Sequence, residues 1–424
     1  MQKFNEKFEE SVNLVKTIPN FEKNVTTKLP KKYFIPKKID IYDVSINVIG
    51  IDLGTTRCCM GINRNNKIEI VAIENTGGRL LPSFVSFEEE EANCGKTVLE
   101  RLEKNKAKYT CFDIKLIIGK SFFDVVVDES WPFEIIEENE KVMIKTEDKN
   151  GEVLKSPEEI SAVLLKHMRD KAVEFQGQDV LEAVITIPAA YNESQKQATL
   201  EAAKLAGWEN ITLLPEPIAA SFAYFNNREI PDNSNVLLFD LGGGTLNICL
   251  FKIYGNEIVI ISDIGDTCLG GRDIDNLLID YFTRVLEIRH NVFINTKRKY
   301  KLMLKCQKLK QNLSQSEIEY LDVNDFDSDI YEKIEFSRFE LEKMMAKMIA
   351  RMRTKINDVL STANLIHTEI HKVLQVGGGC RMPVVKQMLK NMFKNAEHCV
   401  EEHPDEVVAV GAAIYAYHLA TICT

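Results

Sequence analysis

The chain has no surplus of positive charge. Its 53 lysines and arginines are outnumbered by 63 aspartates and glutamates, for a net charge of −10. A general nucleic-acid binder needs a basic surface to neutralise backbone phosphates, so that class is disfavoured. Long hydrophobic runs are also missing, and none of the apolar stretches could span a bilayer. The opening residues MQKFNEKFEESVNLVK are charged throughout and lack the apolar stretch of a secretory signal. Ten cysteines occur, Cys58 and Cys59 side by side, yet no CxxC pair is present. That argues against a zinc ribbon or a disulfide frame and for reduced thiols in the cytoplasm. Common phosphate loops are absent too. CGKTV (94–98) has Glu90 where a P-loop needs glycine, and no GxGxxG follows a strand. HTEIH (367–371) is not HExxH, and a solvated helix face is its expected role.

What is present is an alternation of strands and helices. INVIGIDLG (46–54) reads as a buried strand entering a turn, with CCMGINR as a second strand. LEAVITIPAAYNESQKQATLEAAKLAGW (181–208) reads as strand, turn and helix, with Asn192 or Ser194 capping and Gln195 placed to bond back. ITLLPEPIAASFAYF (211–225) is a strand entering a helix through Pro217, and KVLQVGGGCRMPVVKQMLKNMF (372–393) is strand, glycine turn and helix. The expectation is an α/β protein with mostly parallel sheets covered on both faces. NNREIPDNSN (226–235) is a candidate boundary, dividing residues 46–230 from residues 231–424. Residues 272–360 look mainly helical and charged, and residues 1–45 look like an appendage with a short helix near 4–17. Within it KLPKKYFIPKK (28–38), with five lysines and two prolines, reads as a solvated linker. A nuclear-import patch is the weaker reading of those lysines.

One device occurs twice. IGIDLGTT (49–56) and LLFDLGGGT (237–245) each run from an apolar strand through an aspartate into a glycine–threonine turn. Successive N–H groups in such a turn form a nest for an anion, and glycine lets a phosphate approach closely. An aspartate beside phosphate is useful when a hydrated Mg²⁺ lies between them. Two facing copies would hold a polyphosphate between Asp52 and Asp240.

With IGIDLGTT, FDLGGGT, VGGGCRMP, TIPAAYNESQKQAT and EPIAASFAY in order, the chain resembles the ATPase domain of the 70-kDa heat-shock (DnaK-type) chaperones. The resemblance runs from about residue 46 to about residue 420. It implies the two-lobed actin-like ATPase fold, each lobe a mixed or parallel sheet flanked by helices, around a nucleotide cleft. It implies ATP or ADP with Mg²⁺, slow hydrolysis, and potassium ions beside the phosphates. By position, Asp52 and Asp240 match the acids that hold the water shell of Mg²⁺. Glu216 matches the acid beside the metal and the attacking water, and Lys115 the lysine that reaches the γ-phosphate. Gly54, Thr55 and Thr56 match the first phosphate turn; Gly242, Gly243, Gly244 and Thr245 match the second. Gly270 and Gly271 match a helix start near phosphate or ribose, Lys310 and Ser314 an adenosine-contacting helix. Gly377, Gly378, Arg381 and Asp405 match the rim of the adenine pocket.

The sequence also departs from that pattern. Asn247 stands for an aspartate, Arg57 for an aromatic residue and Arg272 for an acid, all read as making the phosphate region more positive and potassium less needed. Gln307, Gln311 and Gly379 replace a glutamate, an arginine and a serine around adenosine, which implies looser nucleotide binding. Thr212 and Ala190 alter the relay toward a peptide clamp, and the chain ends at YAYHLATICT, so no peptide clamp is expected. Partners implied by the resemblance are nucleotide-exchange factors or J-domain co-chaperones, with neither nucleic acid nor membrane. Three readings compete: a slow ATPase, a nucleotide-binding pseudo-enzyme acting as scaffold or co-chaperone decoy, and a small-molecule kinase on the same superfold. No sugar-binding motif supports the third.

Overall fold

A computed structural model describes residues 32–422, save Asn75, Asn105 and Glu402. The helix expected near residues 4–17 lies outside the described residues. The chain opens with β1 (Lys32–Phe34), then β2 (Ile49–Asp52), buried up to its terminal acid. A short glycine–threonine turn can only reverse the chain. It therefore leads into β3 (Arg57–Arg64), antiparallel to β2, and β4 (Lys67–Ile70) continues the meander. Helix α1 (Pro157–Gln176) intervenes before β5 (Glu182–Ile187), which lies parallel to β2. Helix α2 (Glu193–Leu205) then crosses over to β6 (Asn210–Pro215), parallel to β5. At the start of α2 the Asn192 carboxamide accepts from the Gln195 N–H at 2.9 Å, and Gln195 bonds back. This is the reciprocal cap the sequence suggested.

Helix α3 (Glu216–Asn227) follows β6 directly. The second sheet repeats the plan: β7 (Asn235–Leu241), β8 (Leu246–Tyr254) and β9 (Glu257–Asp266) form an antiparallel meander. Helices α4 (Gly271–His290), α5 (Thr296–Asn312) and α6 (Ala346–Thr362) come next. Then β10 (Lys372–Val376) lies parallel to β7, α7 (Pro383–Met392) crosses over, and β11 (Glu397–Val400) pairs with β10. Helix α8 (Val407–Ile422) closes the described chain. The sheets run β6-β5-β2-β3-β4 and β1-β9-β8-β7-β10-β11, so both are mixed rather than mostly parallel. The cause is the pair of glycine turns, too short for a parallel crossover.

Residues 272–360 are mainly helical and also contain a hairpin, Ile318–Asp322 with Lys333–Ser337, whose alternating pattern buries Leu321, Ile334 and Phe336. One further expectation changes: of the linker expected over 28–38, the described part from residue 32 onward is docked on the fold. Strand β1 adds to the edge of β9, and Tyr42 packs edge-on against Tyr417 of α8 at 4.7 Å between ring centroids. The Asn63 side chain donates to the carbonyls of Asp43 and Ile46. These partners are remote in sequence, which is why composition alone pointed to solvent. None of the described helices is long and apolar enough to cross a membrane.

The two sheets face each other through α3 and α8, whose apolar residues form one core with Val184, Leu214, Leu238 and Leu374. The helices approach so closely that a Cβ on Gly411 of α8 would fall on the carbonyl oxygen of Ala219 in α3. Gly411→Ala must therefore push the helices apart, an overpacking cost of about 1–3 kcal/mol. A lower melting temperature in thermal denaturation, with the fold retained, is the expected outcome.

Candidate functional site

Both glycine turns lie at the carboxyl ends of their strands, where α/β folds place ligand sites. They touch. A Cβ on Gly243 would fall on the Thr56 side chain, and one on Gly244 would sit 2.6 Å from the Thr55 methyl carbon. Only glycine allows that approach. The second turn is closed by the Gly242 N–H donating to the Thr245 carbonyl at 2.9 Å. Around the junction opens a cleft of about 550 Å³. Gly54, Thr55, Thr56, Gly242, Gly243 and Thr245 line it, as do Asp52, Lys115, Glu216 and Asp240.

The acids are held in register by the sheets. Asp52 ends β2 opposite Thr186 of β5, whose hydroxyl donates to Asp52 Oδ1 at 3.3 Å. Asp240 pairs across the ladder with Asn247. Glu216 opens α3, and Lys115 sits on a short 3₁₀ turn, Ile114–Leu116. Lys115 and Glu216 form a buried ion pair. Asn247 Nδ2 donates to Glu216 Oε2 at 3.4 Å and to Thr245 Oγ1 at 3.5 Å. Burial pushes the Asp52 carboxyl up to about 6, with Lys115 and Thr186 opposing the rise and Glu216 adding to it. Asp240 is driven well above the usual carboxylate range by burial, then by the charges of Glu216 and Asp52. Lys115 is opposed by burial but held above its ordinary value by Glu216 and Asp52. Three acids thus share one lysine.

That imbalance suits a cation. Among the described residues no three potential ligands are placed to coordinate one ion directly. Asp52, Asp240 and Glu216 are the carboxylates that would hold a hydrated Mg²⁺ through its waters. The other end of the cleft is lined by Lys310, Ser314, Gly377, Gly378, Arg381 and Asp405, again as the sequence grouped them. Here the charges are already paired. Lys310 Nζ lies 2.7 Å from Asp275 Oδ1 and donates to the Gly271 carbonyl, also at 2.7 Å. Arg381 is held by Asp405 at 2.5 Å.

Several sequence expectations need correction. Gly271 lines the cleft, but Gly244 and Gly270 back the turns instead. The opening N–H groups of α4 are not free for an anion. Gly271 donates to the Gly242 carbonyl and Arg272 to that of Gly243, while Gly270 donates to Asp273 Oδ2. The helix start braces the second turn rather than capping a ligand. Arg272 adds no charge to the phosphate region, because its guanidinium is buried against Asp113. Gln307 lies off the cleft wall, whereas Gln311, Gly379 and Arg57 are on it. HTEIH is a single 3₁₀ turn entering β10, not a helix face. Cys58, Cys59, Cys111, Cys306, Cys380 and Cys399 are buried thiols without disulfide bridges.

Sequence reasoning missed Thr186, Gln315 and Lys386. The first comes from the pairing of β5 with β2, which no local pattern announces. The other two lie near residues already named, Gln315 in the turn after α5 and Lys386 in the first turn of α7, and only the fold brings them to the cleft.

Comparison with known proteins agrees with this geometry. The family model described as Hsp70 protein matches residues 48–421. The heat shock 70 kDa protein of Neurospora crassa is 35% identical over 377 residues, covering 87% of this chain and 57% of that protein. The heat shock cognate HSP70 protein of Trypanosoma brucei brucei is 34% identical over 382 residues, 88% of this chain and 56% of its own length. The heat shock 70 kDa protein BIP3 of Oryza sativa subsp. japonica is 35% identical over 385 residues, with shares of 87% and 56%. The chain spans a little over half the length of these relatives. The family match over nearly all the described residues, together with two mixed sheets flanked by helices around one cleft, identifies the two-lobed actin-like ATPase fold, and the chain belongs to the Hsp70 family.

Proposed function

We propose that the cleft binds Mg·ATP and slowly hydrolyses its terminal phosphate. The observation that carries this reading is the direct contact of the two glycine–threonine turns beside three acids and one lysine. Backbone N–H groups and the hydroxyls of Thr55, Thr56 and Thr245 would hold the phosphate chain. When bound, Mg²⁺ supplies charge neutralisation at the phosphoryl oxygens. Lys115 offsets the negative charge that builds on the transferred group, and Glu216 fixes that lysine and accepts a hydrogen bond from the attacking water. Glu216 already receives the Lys115 ammonium and the Asn247 amide, so both of its oxygens are engaged before a water arrives, which favours a slow reaction. With Lys310 and Arg381 tied to Asp275 and Asp405, looser adenosine binding follows. Nucleotide-exchange factors or J-domain proteins are the proposed partners, and the cytoplasm the proposed compartment.

The Asn247 contact to Glu216 also favours a second reading, a nucleotide-binding pseudo-enzyme that serves as scaffold or decoy. Single-turnover hydrolysis separates the two. In the ATPase reading, Lys115→Ala lowers the rate about a hundredfold or more. Equal, background rates for wild type and variant would leave the pseudo-enzyme reading standing.

Potassium dependence is proposed to be weak. The cause is now the Asn247 amide, which presents N–H donors where a carboxylate would attract a cation; of the two arginines only Arg57 faces the cleft. Turnover is expected to be unchanged when sodium replaces potassium, and Asn247→Asp is expected to introduce a potassium requirement. A strong requirement in the wild type would overturn this.

A further inference from the structure

The α4 residue Arg272 reaches across to the segment that carries Lys115. Its Nη2 lies 2.8 Å from Asp113 Oδ1 and its Nε 3.1 Å from Asp113 Oδ2, a bidentate pair. Both side chains are almost wholly buried, at 5% and 2% exposure. The surroundings complete the pair. Trp131 Nε1 donates to Asp113 Oδ2 at 3.3 Å, and the guanidinium lies over the Phe112 ring at 5.2 Å. Asp113 adopts a left-handed conformation with φ of 60°, and its carbonyl accepts from Leu116 to close the 3₁₀ turn that holds Lys115. At the other end, the Arg272 N–H donates to the Gly243 carbonyl at 2.6 Å. One ion pair therefore joins the lysine turn, from the half before residue 230, to the second glycine turn, from the half after it.

We propose that the Asp113–Arg272 pair is a latch across the cleft: it positions Lys115 and sets how fast nucleotide leaves. This rests on the nucleotide reading above. Separating the two halves strands two charges out of water unless the pair breaks into solvent, so opening the cleft at this end is opposed. Arg272 and Asp113 touch no reacting atom and act through Lys115 and the turns, as positioning residues. Asp275, one helical turn along α4, pairs with Lys310 at 2.7 Å.

The test uses the whole chain loaded with a fluorescent ADP analogue and chased with unlabelled ATP. Arg272→Met and Asp113→Asn each speed analogue release by about tenfold, and the double variant releases no faster than either single, because both remove one interaction. Asn keeps the left-handed turn that Asp113 needs, and Arg272→Lys, which restores one charge, slows release again. The release rate is read from the folded, loaded molecules alone. A purely structural role would lower the amount loaded and the melting temperature but leave that rate unchanged. Single-turnover hydrolysis should fall in the same variants while Lys115 is intact. Release rates equal to wild type in both single variants overturn the latch while leaving the nucleotide reading in place. A wild-type chain that retains no analogue overturns that reading and the latch with it.

Discussion

Asp52, Asp240 and Glu216 converge in a buried pocket where a single ammonium, that of Lys115, answers them. Burial first, and then the neighbouring like charges, make ionisation costly, so the carboxyls of Asp52 and Asp240 are pushed upward. Such an arrangement survives only if the surrounding fold is stable enough to impose it. Much of the architecture can be understood as what holds these groups in place. Two apolar strands deliver the aspartates, two tight turns reverse the chain behind them, and α3 brings in Glu216 as its first residue.

The halves are joined at three levels. At the base, α3 and α8 pack so tightly that a glycine is required at their crossing. At the centre, the glycine turns interlock through Thr55 and Thr56. At the outer end, Arg272 and Asp113 form a buried ion pair. The apolar contact is non-directional and strong, while the ion pair is directional and specifies one relative position of the segments it joins. The stretch from β1 to Tyr42 links the edge of β9 to α8.

Family membership places the chain on the ATPase part of Hsp70 proteins, and the departures from that pattern gain meaning from their surroundings. Asn247 matters because its amide faces Glu216 and Thr245. Arg272 reads as extra positive charge in the sequence, yet in the fold its charge is cancelled and becomes a mechanical tie. Arg57, Gln311 and Gly379 lie on the cleft wall.

Local pattern was enough to locate the elements that carry the site. The strand–Asp–Gly–Thr device, the Asn192–Gln195 cap and the glycine turn after β10 are written in contiguous residues, because hydrogen bonds and steric limits there act over a few positions. What only the tertiary structure decided involves partners far apart in sequence. The order of strands in mixed sheets, Thr186 beside Asp52, the burial of Lys115, the docking of residues 32–48 and the pairing of Arg272 with Asp113 all depend on long-range packing. A charged side chain looks alike in every exposed or buried setting when read in sequence. Its surroundings, assembled by the fold, decide whether it binds a ligand, answers another charge or ties two segments together.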